Sequence, residues 1–247
     1  MTIMFLFVGC LACVGFWERC RPCRRSQLPT ARRRVANVGL WLFNLVATAL
    51  IFADPDELRE PWALPDWLSL PMGFLFLDLM VYAVHRAQHA MPWLWRLHAL
   101  HHSDPDVDVT TAVRHHPFEF LIASGIFWFA ILVIGVPALA VATHAGTTFA
   151  LAAATHGNVR WPAWTERLLR PVVITLDLHL VHHSVNLAES NSNFGAVLSV
   201  WDRAFGTFAP ARPISAFGVA ALDPASACRP LAMLATPFQS KLGALVR

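Results

Sequence analysis

The stretch from Asp78 to His102 reads DLMVYAVHRAQHAMPWLWRLHALHH and holds five of the chain's twelve histidines. They form two clusters, His85-x-x-x-His89 and His98-x-x-His101-His102. Residues four apart on an α-helix differ by about 40° in azimuth and roughly 6 Å along the axis. His85 and His89 therefore share a face, and so do His98, His101 and His102. Imidazoles placed this way can close on a metal ion from one side, as the two histidines of a helical zinc site do. A third cluster, His179-x-x-His182-His183, repeats the second. A lone histidine is usually a surface or hydrogen-bonded core residue. Eight of them in three register-matched clusters are not explained that way. Imidazole ligates zinc, copper, iron and nickel alike, so ligand type does not name the metal. The number of rings exceeds what one tetrahedral or octahedral centre takes, so two metals are expected.

Helices must carry these rings, and the composition says what kind. Hydrophobic residues make up 56% of the chain and charged residues 14%, where soluble domains run nearer 25% charged. With a mean hydropathy of +0.48, the chain reads as an integral membrane protein. Residues 1–17 are almost wholly apolar, lack the basic start of a signal peptide, and just suffice to span a bilayer with help from their flanks. Residues 18–34 carry seven arginines, which the positive-inside rule places in the cytoplasm. Residues 36–53 form a second apolar run, 54–66 a polar, proline-punctuated outer loop, and 68–84 a third span. The long apolar run 120–154, broken at Gly135-Val136-Pro137, is a hairpin of two spans. The expected fold is all-α: an integral membrane helical bundle of about four to five spans with a cytosolic histidine-rich helical cap. This topology places all three clusters and His156 on the cytoplasmic face. The net charge of +3 is small and its arginines lie near the N-terminus, so the basic residues orient the chain in a membrane, and no nucleic-acid partner is expected.

Other residues take their meaning from position. Asp78, Tyr82, His85 and His89 recur at helical spacing along one stripe. An ionisable residue inside a span is costly and faces protein or a polar cavity. Asp78 is expected to orient a ligand histidine or to pair with a buried arginine; the alternative is a helix-packing contact. Residues 104–114 read as a polar loop. His144 has no partner at helical spacing and reads as structural. Cys20-Arg-Pro-Cys23 has no matching second pair, so the thiols read as incidental.

The whole pattern resembles the fatty acid hydroxylase and sterol desaturase superfamily of membrane di-iron enzymes. It comprises Asp78-x3-Tyr82-x2-His85-Arg86-x2-His89, His98-x2-His101-His102, Arg114-His115-His116-Pro117-x-Glu119, His156-Gly-Asn158, His179-x2-His182-His183, and Asn193-Phe-Gly195 with Trp201-Asp202-x2-Phe205-Gly206-Thr207. The resemblance implies a catalytic region at 68–208, preceded by membrane spans and a basic loop at 1–67 and followed by a tail of unassigned role at 209–247. It implies two iron ions held by His85, His89, His98, His101, His102, His156, His179, His182 and His183, with His116 a weaker ligand candidate. Asp78, Tyr82 and Asn158 stand as candidate catalytic residues. Gly157 stands where the family often has serine. Ala152 stands where some members carry a further histidine, which implies an open position at one iron. The implied activity is hydroxylation or desaturation of a lipid C–H bond, or ether-lipid cleavage, with O2 as co-substrate. The lipid is a sterol, fatty acyl chain, carotenoid or ether lipid, and the electrons come from a cytochrome b5-like or ferredoxin-like protein.

Two other classes are open to the same histidines. A metal transporter would place ligands at mid-membrane between broken helices, and these sit at span ends. A zinc-dependent membrane hydrolase would need a general base such as the glutamate of HExxH, which no cluster carries.

Overall fold

The computed structural model describes residues 2–52 and 64–244. The expected outer loop at 54–66 lies almost wholly outside them. The described residues are helical, with two isolated β-bridges, Val173–Leu198 and Ser184–Phe217. Two helices, α1 (Thr2–Cys20) and α2 (Thr30–Ile51), precede the long α3 (Asp66–Ala90). An extended Met91 separates α3 from α4 (Pro92–His102), whose proline sits in the first turn, where its missing N–H costs nothing. The hairpin follows as α5 (Pro117–Ile134) and α6 (Ala138–His156). Gly135 ends α5 at φ 73, a left-handed conformation that favours glycine. The cap adds α7 (Ala163–Leu169), α8 (Leu176–His182), α9 (Leu187–Ser190), α10 (Val200–Ala204) and α11 (Pro230–Leu234).

Among the described residues, α2, α3, α5 and α6 are long and apolar enough to cross a membrane. Their surfaces stay largely apolar and uncovered, as at Leu42, Phe43, Val46, Phe129 and Val133, which suits helices solvated by lipid. Gly73 of α3 is pressed against α6: a Cβ there would lie 2.8 Å from that of Ala140. On the other side of α6, Phe7 of α1 packs on Phe149 with ring centroids 4.6 Å apart.

One end of this bundle is tied by charge. The segment 104–114, expected as a polar loop, is almost entirely buried. Its carboxylates receive the start of α2: Arg33 pairs with Asp104 at 2.7 Å and with Asp108, and Arg34 pairs with Asp108 and with Glu18 of α1. Asp106 accepts from the backbone N–H groups of Gln27 and Leu28. The buried Arg114 donates to Leu100 O, Asn37 Oδ1 and Ser103 Oγ. It also reaches Ala227 O in the C-terminal segment, and burial lowers its pKa to about 10. That segment packs Met233 against Leu100, and Leu242 against Trp95 and Ala99. The basic loop and the tail thus both brace α4, the carrier of the second histidine cluster.

Arg33→Met leaves the buried Asp104 without its cation and Asp108 with Arg34 alone, and removing one partner of a buried pair costs about 3–5 kcal/mol. Asp106→Ala removes a charged acceptor of backbone N–H groups, worth roughly 1–3 kcal/mol. Chemical unfolding of the purified protein in detergent should rank the two in that order.

Candidate metal centre

Four elements deliver nine imidazoles to one place, in two groups. His85, His89, His98, His102 and His182 form one; His101, His156, His179 and His183 form the other, with candidate ligand atoms within 4.8 Å of one another in each. Each HxxHH cluster is split between the groups. His98 and His102 serve the first while His101 serves the second; His179 and His183 serve the second while His182 serves the first. The closing of a whole cluster on a metal from one side is therefore corrected. Helix geometry gives the reason: residues i and i+4 lie about 40° apart, whereas i+3 and i+4 lie about 100° apart. One ring of each trio faces a different point, and the two trios interleave.

The ring nitrogens show what the groups are built to hold. His85 Nδ1 is 2.8 Å from Phe194 O, His182 Nδ1 is 2.8 Å from Ser192 O, and His156 Nδ1 is 2.7 Å from Ala152 O. A carbonyl only accepts, so each of these nitrogens carries the proton and Nε2 keeps its lone pair. His89 Nδ1 meets Asn191 Oδ1 at 3.1 Å, and His98 Nδ1 meets Glu119 Oε1 at 2.7 Å. The Nε2 atoms are driven together: His85 to His98 at 3.2 Å, His89 to His102 at 3.1 Å, and His156 to His179 at 3.0 Å. Two lone pairs at that separation repel unless a cation lies between them. Burial, reinforced by the neighbouring imidazoles, holds the pKa values of His101, His102, His179, His182 and His183 well below the ordinary histidine value. Protons therefore do not supply that cation at neutral pH, and a donor set of neutral imidazoles fits a transition metal.

The outer support comes from the loop 191–195, which explains the Asn193-Phe-Gly195 pattern. Asn193 takes φ 54, which asparagine tolerates, and its side chain bonds Leu178 O, Ala209 O and Ala209 N. Asp202 accepts from the N–H groups of Phe194 and Gly195 and from Thr207 Oγ1. A Cβ on Gly195 would lie 2.4 Å from Leu198 O, so only glycine fits.

The candidate catalytic residues have partners of their own away from the nine rings. Asp78 meets no ligand histidine and no arginine among the described residues. Its carboxylate accepts from the N–H groups of Val197 and Leu198 and from Trp201 Nε1, and so fastens that same loop to α3. Tyr82 hydrogen-bonds Thr207 Oγ1 at 2.9 Å and stacks on Phe205. Asn158 exchanges two hydrogen bonds with the backbone of Arg24. His116 caps α5, with Nδ1 accepting from Phe118 N and Nε2 against Leu234 O, and joins neither group. The sequence has charged and polar residues at these places, but their partners are long-range.

Two contributors stood in the quoted pattern without an assigned role. Glu119 Oε1 holds both His98 Nδ1 and His115 Nδ1, the latter at 3.1 Å. His115 stacks on His101 with centroids 4.6 Å apart. Burial opposes a charge on His115, but the Glu119 carboxylate more than offsets it and raises its pKa. The signal was present: Glu119 stands three residues after His116, the capping-box spacing at a helix start. Its turn toward His98 is tertiary.

A large apolar cavity of about 700 Å³ opens onto both groups. His85 and His98 of the first group, and His101, His156 and His179 of the second, line its inner end. It then runs between α3, α5 and α6 as far as Ile131 and Ala138.

A family model described as "Fatty acid hydroxylase" matches residues 70–207. The chain is 33% identical to an ornithine lipid hydroxylase from Rhizobium tropici over 61% of this chain and 45% of that protein. It is 28% identical to an alkylglycerol monooxygenase from Xenopus tropicalis over 78% of this chain and 40% of that protein, and 31% identical to the human alkylglycerol monooxygenase over 60% and 32%. The chain spans less than half the length of these relatives. No solved structure matches it significantly.

Glu119→Gln removes the carboxylate that orients His98. Loss of such a support costs 10- to 100-fold in metal affinity, so the variant should release metal to a chelator at correspondingly lower concentration. Asn158→Ala, which loosens only the arginine loop, should retain metal like the wild type.

Proposed function

Since this chain belongs to the fatty acid hydroxylase family, we propose that it is a membrane-bound di-iron oxygenase that oxidises a C–H bond of a lipid. In this reading the catalytic region is 68–208, and the irons are held by the five-histidine and four-histidine groups. The smaller group contains His156, next to the Ala152 position where some family members add a histidine. Two bound irons would supply the oxidising power that an unactivated C–H bond demands, turning RH, O2, two electrons and two protons into ROH and water. In this reading the electrons come from a separate cytochrome b5-like or ferredoxin-like donor protein.

The observation that carries the reading is the cavity that joins both histidine groups to an apolar interior. A metal transporter has no need of it; an alkyl chain awaiting oxidation does. Its room is made by small side chains on one face of α6, Ala138, Ala142, Ala145 and Ala152, opposite Phe120, Phe127 and Trp128 of α5. These walls exclude water and hold the chain in line with the inner end. Glu119, the carbonyls of Ser192 and Phe194, and Asn191 keep the rings aimed inward. The relatives named for ornithine lipid and alkylglycerol support a polar-headed or ether lipid as substrate. The arginine loop lies at the same end as the histidines, with Arg24 bonded to Asn158 and Val107, and supports a cytoplasmic location for the site.

Lipid mass spectrometry of cells with and without the gene should reveal a species with one added oxygen or two fewer hydrogens. Purified protein should contain iron and consume O2 with reductant and lipid. Ala145→Phe narrows the cavity away from the metals, so it should keep its iron and lose at least tenfold in product. Full iron with no lipid change in the wild-type strain would overturn the reading.

A further inference from the structure

The cavity wall carries one imidazole that the two histidine groups do not use. His144 lies on α6, buried, with its ring edge against Phe74 at 5.2 Å between centroids. Its Nε2 is 3.5 Å from Asp78 Oδ1 and 3.4 Å from Thr148 Oγ1. Nδ1 has no hydrogen-bond partner among the described residues. Asp78 is already occupied by three N–H donors of the 197–201 segment, so His144 is not required to satisfy it. An ionisable residue at membrane depth is expensive and by default marks a function. The surrounding wall is apolar, with Leu77, Val81, Val141, Ala145 and Phe149 alongside. A packing role would be filled better by leucine or phenylalanine.

We propose that His144 is a specificity-determining residue of the lipid cavity, which recognises an O–H or N–H donor on the substrate through Nδ1. The negative carboxylate of Asp78, 3.5 Å from Nε2 in an apolar wall, favours the proton on that nitrogen, so Nδ1 presents a lone pair and selects a donor. His144 lies twelve residues before His156 on α6 and beside Asp78, which is seven residues before His85 on α3; this places it roughly 10–18 Å along the bundle from the inner end. The substrate is therefore a long-chain lipid with a hydroxyl or amide N–H about that far from the carbon that is oxidised. The statement about the oxidised carbon rests on the lipid-oxygenase reading; the recognition of the donor does not.

The test uses two probes, a 16-carbon primary alcohol and its methyl ether, which lacks the donor. Binding of each to the iron-loaded full chain in detergent is measured by native mass spectrometry, and oxidation of each is measured separately. The wild type should bind the alcohol about tenfold more tightly than the ether, the size of one buried hydrogen bond. His144→Phe, which keeps a ring against Phe74, should bind both with the ether's affinity and retain full iron. His144→Gln, which offers a carbonyl acceptor, should recover part of the preference. Equal binding of the probes by the wild type, or a preference that survives in His144→Phe, overturns the proposal. Preferential binding without oxidation of either probe would leave the recognition standing and count against the oxygenase reading.

Discussion

A neutral imidazole has one lone pair in its ring plane and one N–H, and the structure depends on keeping those two roles apart. A ring aimed at a shared point is fixed in tautomer and direction when its other nitrogen is held from outside. Backbone carbonyls of Phe194, Ser192 and Ala152, the amide of Asn191 and the carboxylate of Glu119 do this for five of the rings. Carbonyl acceptors leave no tautomeric choice, so the lone pairs are committed inward before any metal arrives. Much of the cap exists to fix these acceptors in space.

That requirement links parts of the chain that look unrelated. The loop 191–195 can offer its carbonyls only if its own N–H groups are satisfied, and Asp202 and Thr207 do so from one side. Asp78 fastens the loop's continuation to α3 from the other. On the opposite flank, Arg33, Arg34, Glu18, Asp104 and Asp108 lock the arginine loop onto the segment after α4. Buried ion pairs are weak sources of net stability but costly to break, and here they set the register of α2 against α4. The lipid-facing halves of the long helices need no such fastening, because solvent for them is hydrocarbon.

The site has two kinds of environment in contact. On the cap side it is polar and crowded; on the membrane side it opens into an apolar cavity. A substrate that prefers lipid can reach the imidazoles without crossing water. Glu119 and His115 stand at this boundary, where a buried carboxylate is tolerable only because His98, His115 and Gln88 all point at it.

The sequence alone determined the helices, the hairpin at Gly135-Val136-Pro137, the membrane character and the inventory of rings. Each is a local property: apolar runs of fixed length, a glycine that must turn left-handed, histidines three and four apart. The Asn193-Phe-Gly195 pattern was visible too, though not its task. Which ring belongs to which group was decided by tertiary structure. Spacing fixes azimuth on one helix, but the neighbour that fills that azimuth is set by how α3, α4, α6 and α8 cross. For the same reason Asp78, Tyr82, Asn158 and His116 were legible as polar residues in a histidine-rich stretch and not as braces. Their partners, Leu198, Thr207, Arg24 and Leu234, lie more than a hundred positions away in the chain. Glu119 and His144 face inward for that reason as well, since a carboxylate or an imidazole in an apolar helix says only that it must be paired, and packing chooses with what.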